Sequence, residues 1–247
     1  MFIYTHSYDP EGHLIEQTGI IKRVGMPHIT RYTYDETGRR IQEVVPRIVN
    51  GKEVNLIYRQ AVYTYDEKGH WLAYVSALAN GTFDRATFYF YDLKGNLASE
   101  VNYIGHELVS RTTYEHDTIG NVTREAHYLN VDIHSGEFKK RPLGLFYEKK
   151  NSYDSKGRRT ESSEYEPDGK LAHREISKYD ARGNIVERTD YDVNGQVLDK
   201  VETSYEYDSM GNWLKRINRT AINPLNGEGK PTFPKQWVTE RTISYHH

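Results

Sequence analysis

The 247-residue sequence predicts an all-β fold, an antiparallel meander of about sixteen or seventeen short strands joined as tandem β-hairpins. Three observations lead there. A short phrase keeps returning: Tyr-Asp, two variable residues, then Gly, often followed by Asn. Its glycines alternate with a second series of turn signals about every thirteen residues. Between turns the residues alternate with a period of two, and no segment sustains the i, i+3, i+4, i+7 apolar pattern of a helix. Self-similarity at a fixed period marks a repeat architecture and decides the fold before any single motif does.

The phrase stands at Tyr8-Asp9, Tyr34-Asp35, Tyr65-Asp66, Tyr91-Asp92, Tyr153-Asp154, Tyr179-Asp180 and Tyr207-Asp208, with His116 replacing the tyrosine before Asp117. Its glycines are Gly12, Gly38, Gly69, Gly95, Gly120, Gly157, Gly183 and Gly211, with gaps of 26, 31, 26, 25, 37, 26 and 28. The aspartate accepts a backbone N–H two residues on, and the glycine supplies the left-handed position that closes the turn. The second series reads at Gly25, Asn50-Gly51, Asn80-Gly81, Gly105, Ser135-Gly136, Pro167-Asp168-Gly169, Asn194-Gly195 and Asn226-Gly227. Asn-Gly between alternating runs is a strong hairpin signal, because both residues tolerate positive φ. Each strand then spans roughly nine residues, about 30 Å. Main turns are expected along one edge of the sheet and secondary turns along the other.

The alternation is plain after Gly95. Leu97, Ser99, Val101 and Tyr103 share one face; Ala98, Glu100 and Asn102 share the other. Aromatic pairs at spacing two approach the main turns: Tyr32 and Tyr34, Tyr63 and Tyr65, Tyr89 and Tyr91, Tyr205 and Tyr207. Stacked over successive repeats they form a tyrosine stripe. Packing across strands is one role for it, at roughly 0.2–1 kcal/mol per pair. A stacking platform for sugars or another ligand is the other, and these eight residues are the candidate ligand site.

Two stretches break the period. VDIHSGEFKKRPLGLFYEKK, between Gly120 and Gly157, reads as a lengthened hairpin with a bend at Pro142 to Gly144. The segment 221–247 reads as an atypical C-terminal cap, a long exposed loop followed by a closing strand from Trp237 to Tyr245. The whole chain, 1–247, is expected to be one domain of about eight two-hairpin repeats.

Composition narrows the chemistry. A net charge of -2 gives no basic field for nucleic acid. Twenty-one tyrosines argue against disorder in a chain of mean hydropathy -0.82. The absence of cysteine removes disulfides, thiolate metal sites and cysteine nucleophiles. The opening MFIYTHSYDPEG lacks the basic and apolar regions of a signal peptide, and no apolar run reaches the roughly 18–20 residues of a membrane helix.

The stretch from Tyr179 to Arg216, YDARGNIVERTDYDVNGQVLDKVETSYEYDSMGNWLKR, resembles the YD repeats of bacterial RHS proteins, and the likeness covers nearly the whole chain. That resemblance implies a spiralling or partly closed sheet of hairpins, of the kind that builds hollow shells around toxin cargo in long RHS proteins. It also implies bacterial origin and a surface or secreted setting. The chain has eight main turns where a closed shell uses many more, and Asn223-Pro224-Leu225 only faintly echoes a core-ending motif. What carries over is architecture, and a fold does not dictate a function.

No Gly-x-Ser-x-Gly elbow, phosphate-binding glycine loop or His-Glu-x-x-His motif is present. One aspartate per turn falls short of the six to eight oxygens calcium takes. His106, His116, His127 and His134 are the nearest thing to a histidine cluster, and Asp190 with Asp192 the nearest to a carboxylate pair. The expectation is a non-enzymatic structural or interaction module of the bacterial envelope or exterior, without cofactor or metal; the alternatives are a carbohydrate- or ligand-binding module using the tyrosine stripe, or a fragment of an RHS-type toxin shell. Its expected partners are a protein or a second copy of itself, with a glycan as the alternative, and neither nucleic acid nor a membrane span.

Overall fold

The computed structural model describes residues 2–21, 27–132, 139–222 and 232–243, and among them there are seventeen strands and no helix. The first eight are β1 (Phe2–Tyr8), β2 (Leu14–Ile21), β3 (Pro27–Tyr34), β4 (Arg40–Val49), β5 (Lys52–Tyr65), β6 (Trp71–Leu78), β7 (Phe83–Tyr91) and β8 (Leu97–Ile104). Then come β9 (Glu107–His116), β10 (Val122–Asp132), β11 (Lys139–Tyr153), β12 (Arg159–Tyr165) and β13 (Leu171–Tyr179). The last four are β14 (Ile185–Tyr191), β15 (Val197–Tyr207), β16 (Trp213–Ile222) and β17 (Thr232–Glu240). The residue-by-residue ladders are antiparallel and join neighbours in sequence, which is the meander the turn spacing predicts.

All eight main-turn glycines have positive φ, from 73° at Gly157 to 91° at Gly12 and Gly120. Each turn closes the same way: at Asp154, for example, the Gly157 N–H bonds the Asp154 carbonyl and the Asp154 N–H bonds the Arg158 carbonyl. A β-bulge follows every one for which a ladder is described. In β4, Gln42 faces Thr33 and Arg40 faces Tyr34, so Ile41 is the extra residue; Leu72, Ala98 and Val186 repeat that position. An extra residue increases local twist, so the plain alternation is broken in the first residues of the strand that follows each turn.

The secondary turns differ from expectation in kind. Asn50-Gly51 is the predicted two-residue turn, with φ of 50° and 74° and Val49 facing Lys52. The turns at Gly169 and Gly195 instead copy the main turn, from Tyr165-Glu166 and Tyr191-Asp192, with the same paired backbone bonds and the same bulge. The phrase therefore marks both edges of this stretch. Gly25, Ser135-Gly136, Asn226-Gly227 and His134 lie outside the described residues.

Two further expectations are corrected. Pro142 to Gly144 is no bend; it lies inside β11, where proline's fixed φ suits extended backbone. The closing strand runs from Thr232 to Glu240, not from Trp237 to Tyr245. It includes Pro234, whose missing N–H is tolerated in a strand with one described ladder, to β16.

The chain packs as two compact units, Met1–Thr113 with Tyr128–Gly144, and Tyr114–His127 with Leu145–His247. In the first, Thr30, Val45, Ala61, Tyr63 and Ser76 are buried on one face, set there by the registers of Glu43 with Ala61, Ala61 with Ser76 and Tyr63 with Tyr74. The opposite face carries Val62, Val75 and Phe88, all more than a third exposed. In the second unit the buried positions are small and, apart from Ala126, polar: Ser163, Ser177, Thr189 and Thr220. Ion pairs lie across its strands, such as Glu187 with Lys178 at 2.8 Å and with Lys200 at 3.1 Å. Exposed pairs of this kind each contribute little, roughly 0–1 kcal/mol.

Candidate functional site

Polar groups converge at the repeated turn. In each, one carboxylate oxygen of the aspartate accepts two backbone N–H groups, two and four residues on. At Asp154 these come from Lys156 at 2.9 Å and Arg158 at 3.0 Å. The second oxygen takes the side chain of the residue after glycine: His13 on Asp9, Arg39 on Asp35, His70 on Asp66, Asn121 on Asp117, Arg158 on Asp154. That residue therefore needs a donor at the right reach, which is why Asn, Arg and His fill the position after glycine.

The same residue then meets the tyrosine of the next phrase. His13 stacks on Tyr34 at 4.8 Å and His70 on Tyr91 at 4.7 Å. The guanidinium of Arg39 lies 5.1 Å from the Tyr65 ring centre, and that of Arg158 4.7 Å from Tyr179. The tyrosine hydroxyl donates to a backbone carbonyl two residues beyond the previous main glycine. Tyr34 reaches Leu14, Tyr65 reaches Arg40, Tyr91 reaches Trp71, Tyr153 reaches Val122 and Tyr179 reaches Arg159, all at 2.7–2.8 Å. Each bond contributes roughly 0.5–1.5 kcal/mol net. Tyrosine suits the position because its long rigid ring ends in a donor that spans that gap. Within each unit the turns are thereby linked, one to the next.

The structure places the eight candidate tyrosines in three roles. Tyr34, Tyr65 and Tyr91 are links of this kind, with their hydroxyls occupied. Tyr32, Tyr63 and Tyr89 sit one position inward: Tyr32 under the Arg40 guanidinium at 4.1 Å, Tyr63 against Trp71 and Tyr74, and Tyr89 stacked on Trp71 at 5.2 Å. Tyr63 is 8% exposed and donates to Glu43 at 2.9 Å. The last pair exchanges roles. Tyr205 donates to the Ile185 carbonyl at 3.2 Å, while Tyr207 runs on to the Asp180 carboxylate at 2.8 Å and accepts from Asn184. The register explains it. The residue facing the fourth position after the previous glycine precedes the linking tyrosine by three: Val62 before Tyr65, Ile176 before Tyr179, Glu202 before Tyr205. β15 simply extends two residues further before its turn.

The two ends of this series differ. Tyr8, the first phrase tyrosine, is 59% exposed, and its hydroxyl has no partner among the described residues. At the other end the Trp213 carbonyl, two residues beyond Gly211, is taken by the guanidinium of Arg241, which lies 4.0 Å from the Trp213 ring centre. Arg241 thus stands in for a following tyrosine. Sequence reading passed over Arg241 and the residues after glycine. A signal for the latter existed, in the donor-bearing residue that follows each main glycine.

Donors aimed at the ionised form hold several of the turn carboxylates low. Asp35 lies well below the usual carboxylate range, through the Thr37 hydroxyl and the Arg39 N–H. Asp117 is lowered by the Asn121 amide and Asp154 by the Arg158 guanidinium. A folded-state pKa below the unfolded value of about 3.9 contributes stability above that pH, and the contribution disappears as pH falls through the folded value. The melting temperature should accordingly be level between about pH 5 and 7 and drop below about pH 4. An Asp154→Asn chain should melt lower at neutral pH and show a shallower acid drop, followed by circular dichroism. An unchanged drop would remove the turn carboxylates as its cause.

The other candidates do not assemble. Among the described residues no three His, Asp or Glu side chains are grouped to hold a metal. His127 is hydrogen-bonded to Glu125 and stacked on Tyr147, and His106 lies against Phe83. Asp190 pairs with His173 and Arg188. No described helix is long and apolar enough to cross a membrane.

A meander of hairpins, knitted at its turns by repeated tyrosines and aspartates, is a structural repeat module. Residues 8–47 match the family model described as RHS Repeat. A 133-residue stretch, 49% of this chain, is 29% identical to the tRNA3(Ser)-specific nuclease WapA of Bacillus spizizenii. Among solved structures, the crystal structure of TcdB2-TccC3-Cdc42 aligns over 98% of the chain with a TM-score of 0.47 and 14% identity. The Tc holotoxin pore of Photorhabdus luminescens aligns over 97% with a TM-score of 0.46 and 14% identity. The chain spans 5% of the nuclease and about 15% of these toxin chains.

Proposed function

We propose that the chain is a non-enzymatic wall segment, a rigid module of a secreted or envelope-associated bacterial protein that works by meeting other protein surface. The observation that carries this reading is the turn series. Aspartate, the residue after glycine and tyrosine are the groups a binding or catalytic site would draw on, and here they are engaged with one another and with backbone carbonyls. A wall needs such joints, since a sheet with few buried apolar residues gains little rigidity from a core. The RHS repeat supports the setting. An interaction role is supported by the first unit, whose open face carries Val62 at 44%, Val75 at 37% and Phe90 at 52% exposure.

Sedimentation across a dilution series tests this. Association with itself or a recovered protein partner is expected, weakened when Val62 and Phe90 are both changed to Ser in a chain that keeps its melting temperature. A strict monomer that retains no protein partner would overturn the interaction role.

A further inference from the structure

The second unit contains a groove beside the turn series, which it meets at Tyr205 and Ile185. It crosses β14 to β17 and encloses about 380 Å³. Cross-strand registers build it: Thr203 faces Asn218, which faces Trp237, and Tyr205 faces Arg216. Arg188, opposite Val201, completes one wall. The lining is one-sided in its chemistry, because it holds two guanidinium groups, an amide and hydroxyls but no carboxylate. The Nε of Arg216 is buried and has no acceptor among the described residues. A buried donor left in that condition costs roughly 1–3 kcal/mol, more when charged. The Thr203 hydroxyl occupies the Asn218 side-chain carbonyl at 3.0 Å, which leaves the Asn218 amide hydrogens for another acceptor. Arg188 reaches Asp190 and Glu175 only at 3.5 and 3.8 Å. Beside these donors stands Trp237, half exposed at 51%, and the Tyr205 ring, whose hydroxyl is already committed to Ile185.

We infer that this groove receives a carboxylate-bearing peptide segment of a partner protein, its acid on Arg216 and Arg188 and a neighbouring apolar side chain on Trp237 and Tyr205. Charge complementarity decides the acid: a planar guanidinium pairs with a carboxylate through two parallel hydrogen bonds, no carboxylate among the described residues pairs with Arg216, and Asp190 and Glu175 hold Arg188 only at 3.5 and 3.8 Å. The exposed rings decide its neighbour, because aromatic faces in a partly dry site favour apolar contact. The inference rests on the interaction role proposed above and names the chemistry of one contact. It lies in a different unit from Val62 and Phe90, so its failure and the failure of that role are read separately.

Titration of the whole chain with the capped peptide Glu-Leu-Glu-Leu-Glu, against its Gln-Leu-Gln-Leu-Gln counterpart, tests it by calorimetry or fluorescence of the tryptophans. The acidic peptide is expected to bind saturably and more weakly at high salt, with the glutamine peptide roughly tenfold weaker or worse. Arg216→Gln and Trp237→Ala should each weaken binding about tenfold. Trp237 is exposed, so its variant keeps the test open if the arginine variant misfolds. Equal binding of both peptides, no binding of either, or binding of trigalacturonate in place of the acidic peptide would each overturn the inference.

Discussion

Changing Tyr63 to Ala is expected to cost about 3–4 kcal/mol, the largest loss of any single tyrosine in the candidate stripe. Tyr63 is its most buried member, at 8% exposure. Three kinds of contact disappear together. The ring stacks on Trp71 at 5.7 Å and meets the edge of Tyr74 at 5.2 Å. Its hydroxyl donates to Glu43, which also binds Arg59 at 2.8 Å. Burial and the nearby Glu43 charge push the phenol well above its usual range, so the neutral donor form persists at any ordinary pH. Tyr63→Phe keeps the rings and drops one bond to a charged acceptor, so its cost should be smaller, about 1.5–3 kcal/mol. Urea midpoints at constant m-value separate the two variants. A loss below about 1 kcal/mol for the alanine chain would mean that Tyr63 is free to serve a ligand after all.

A pair of glycine substitutions tests the turns. Gly38 and Gly183 both sit at positive φ, 79° and 90°, so an alanine at either suffers the left-handed strain of roughly 1–2 kcal/mol. They differ in their surroundings. A Cβ at Gly183 meets nothing within 4 Å, whereas at Gly38 it would lie 2.8 Å from the His13 ring. His13 is held by Asp9 at 2.9 Å and by its stack on Tyr34, so the ring yields only by giving up those contacts. Gly38→Ala should therefore cost about 1 kcal/mol more than Gly183→Ala. Adding His13→Ala to the Gly38→Ala chain should abolish that excess, which a double-mutant cycle reads directly. Equal costs at the two glycines would mean that each turn stands alone.

Short-range features of this chain are legible in its sequence and long-range ones are not. The position of every main turn was legible, because Asp and Gly act within five residues of each other: a carboxylate reaching N–H groups at i+2 and i+4, and a φ that other residues resist. Strand number and the antiparallel meander follow from that beat. The tyrosines were legible as a stripe but not as joints, since Tyr179 finds its acceptor twenty residues back in the chain, at Arg159. Nor did the spacing show that Tyr205, not Tyr207, makes the last such bond, because that depends on the register of β15 on β14, in which Glu202 faces Glu187.

By itself, then, the sequence determined where the chain reverses and how many strands lie between reversals, since backbone dihedrals and near-neighbour hydrogen bonds are local properties. Only the tertiary structure decided which side chains meet: His13 beside Gly38, Arg241 at the Trp213 carbonyl, and Arg216 with Trp237 in one groove. Those meetings depend on strand register, and one residue of slip or one bulge changes the partner of every side chain beyond it.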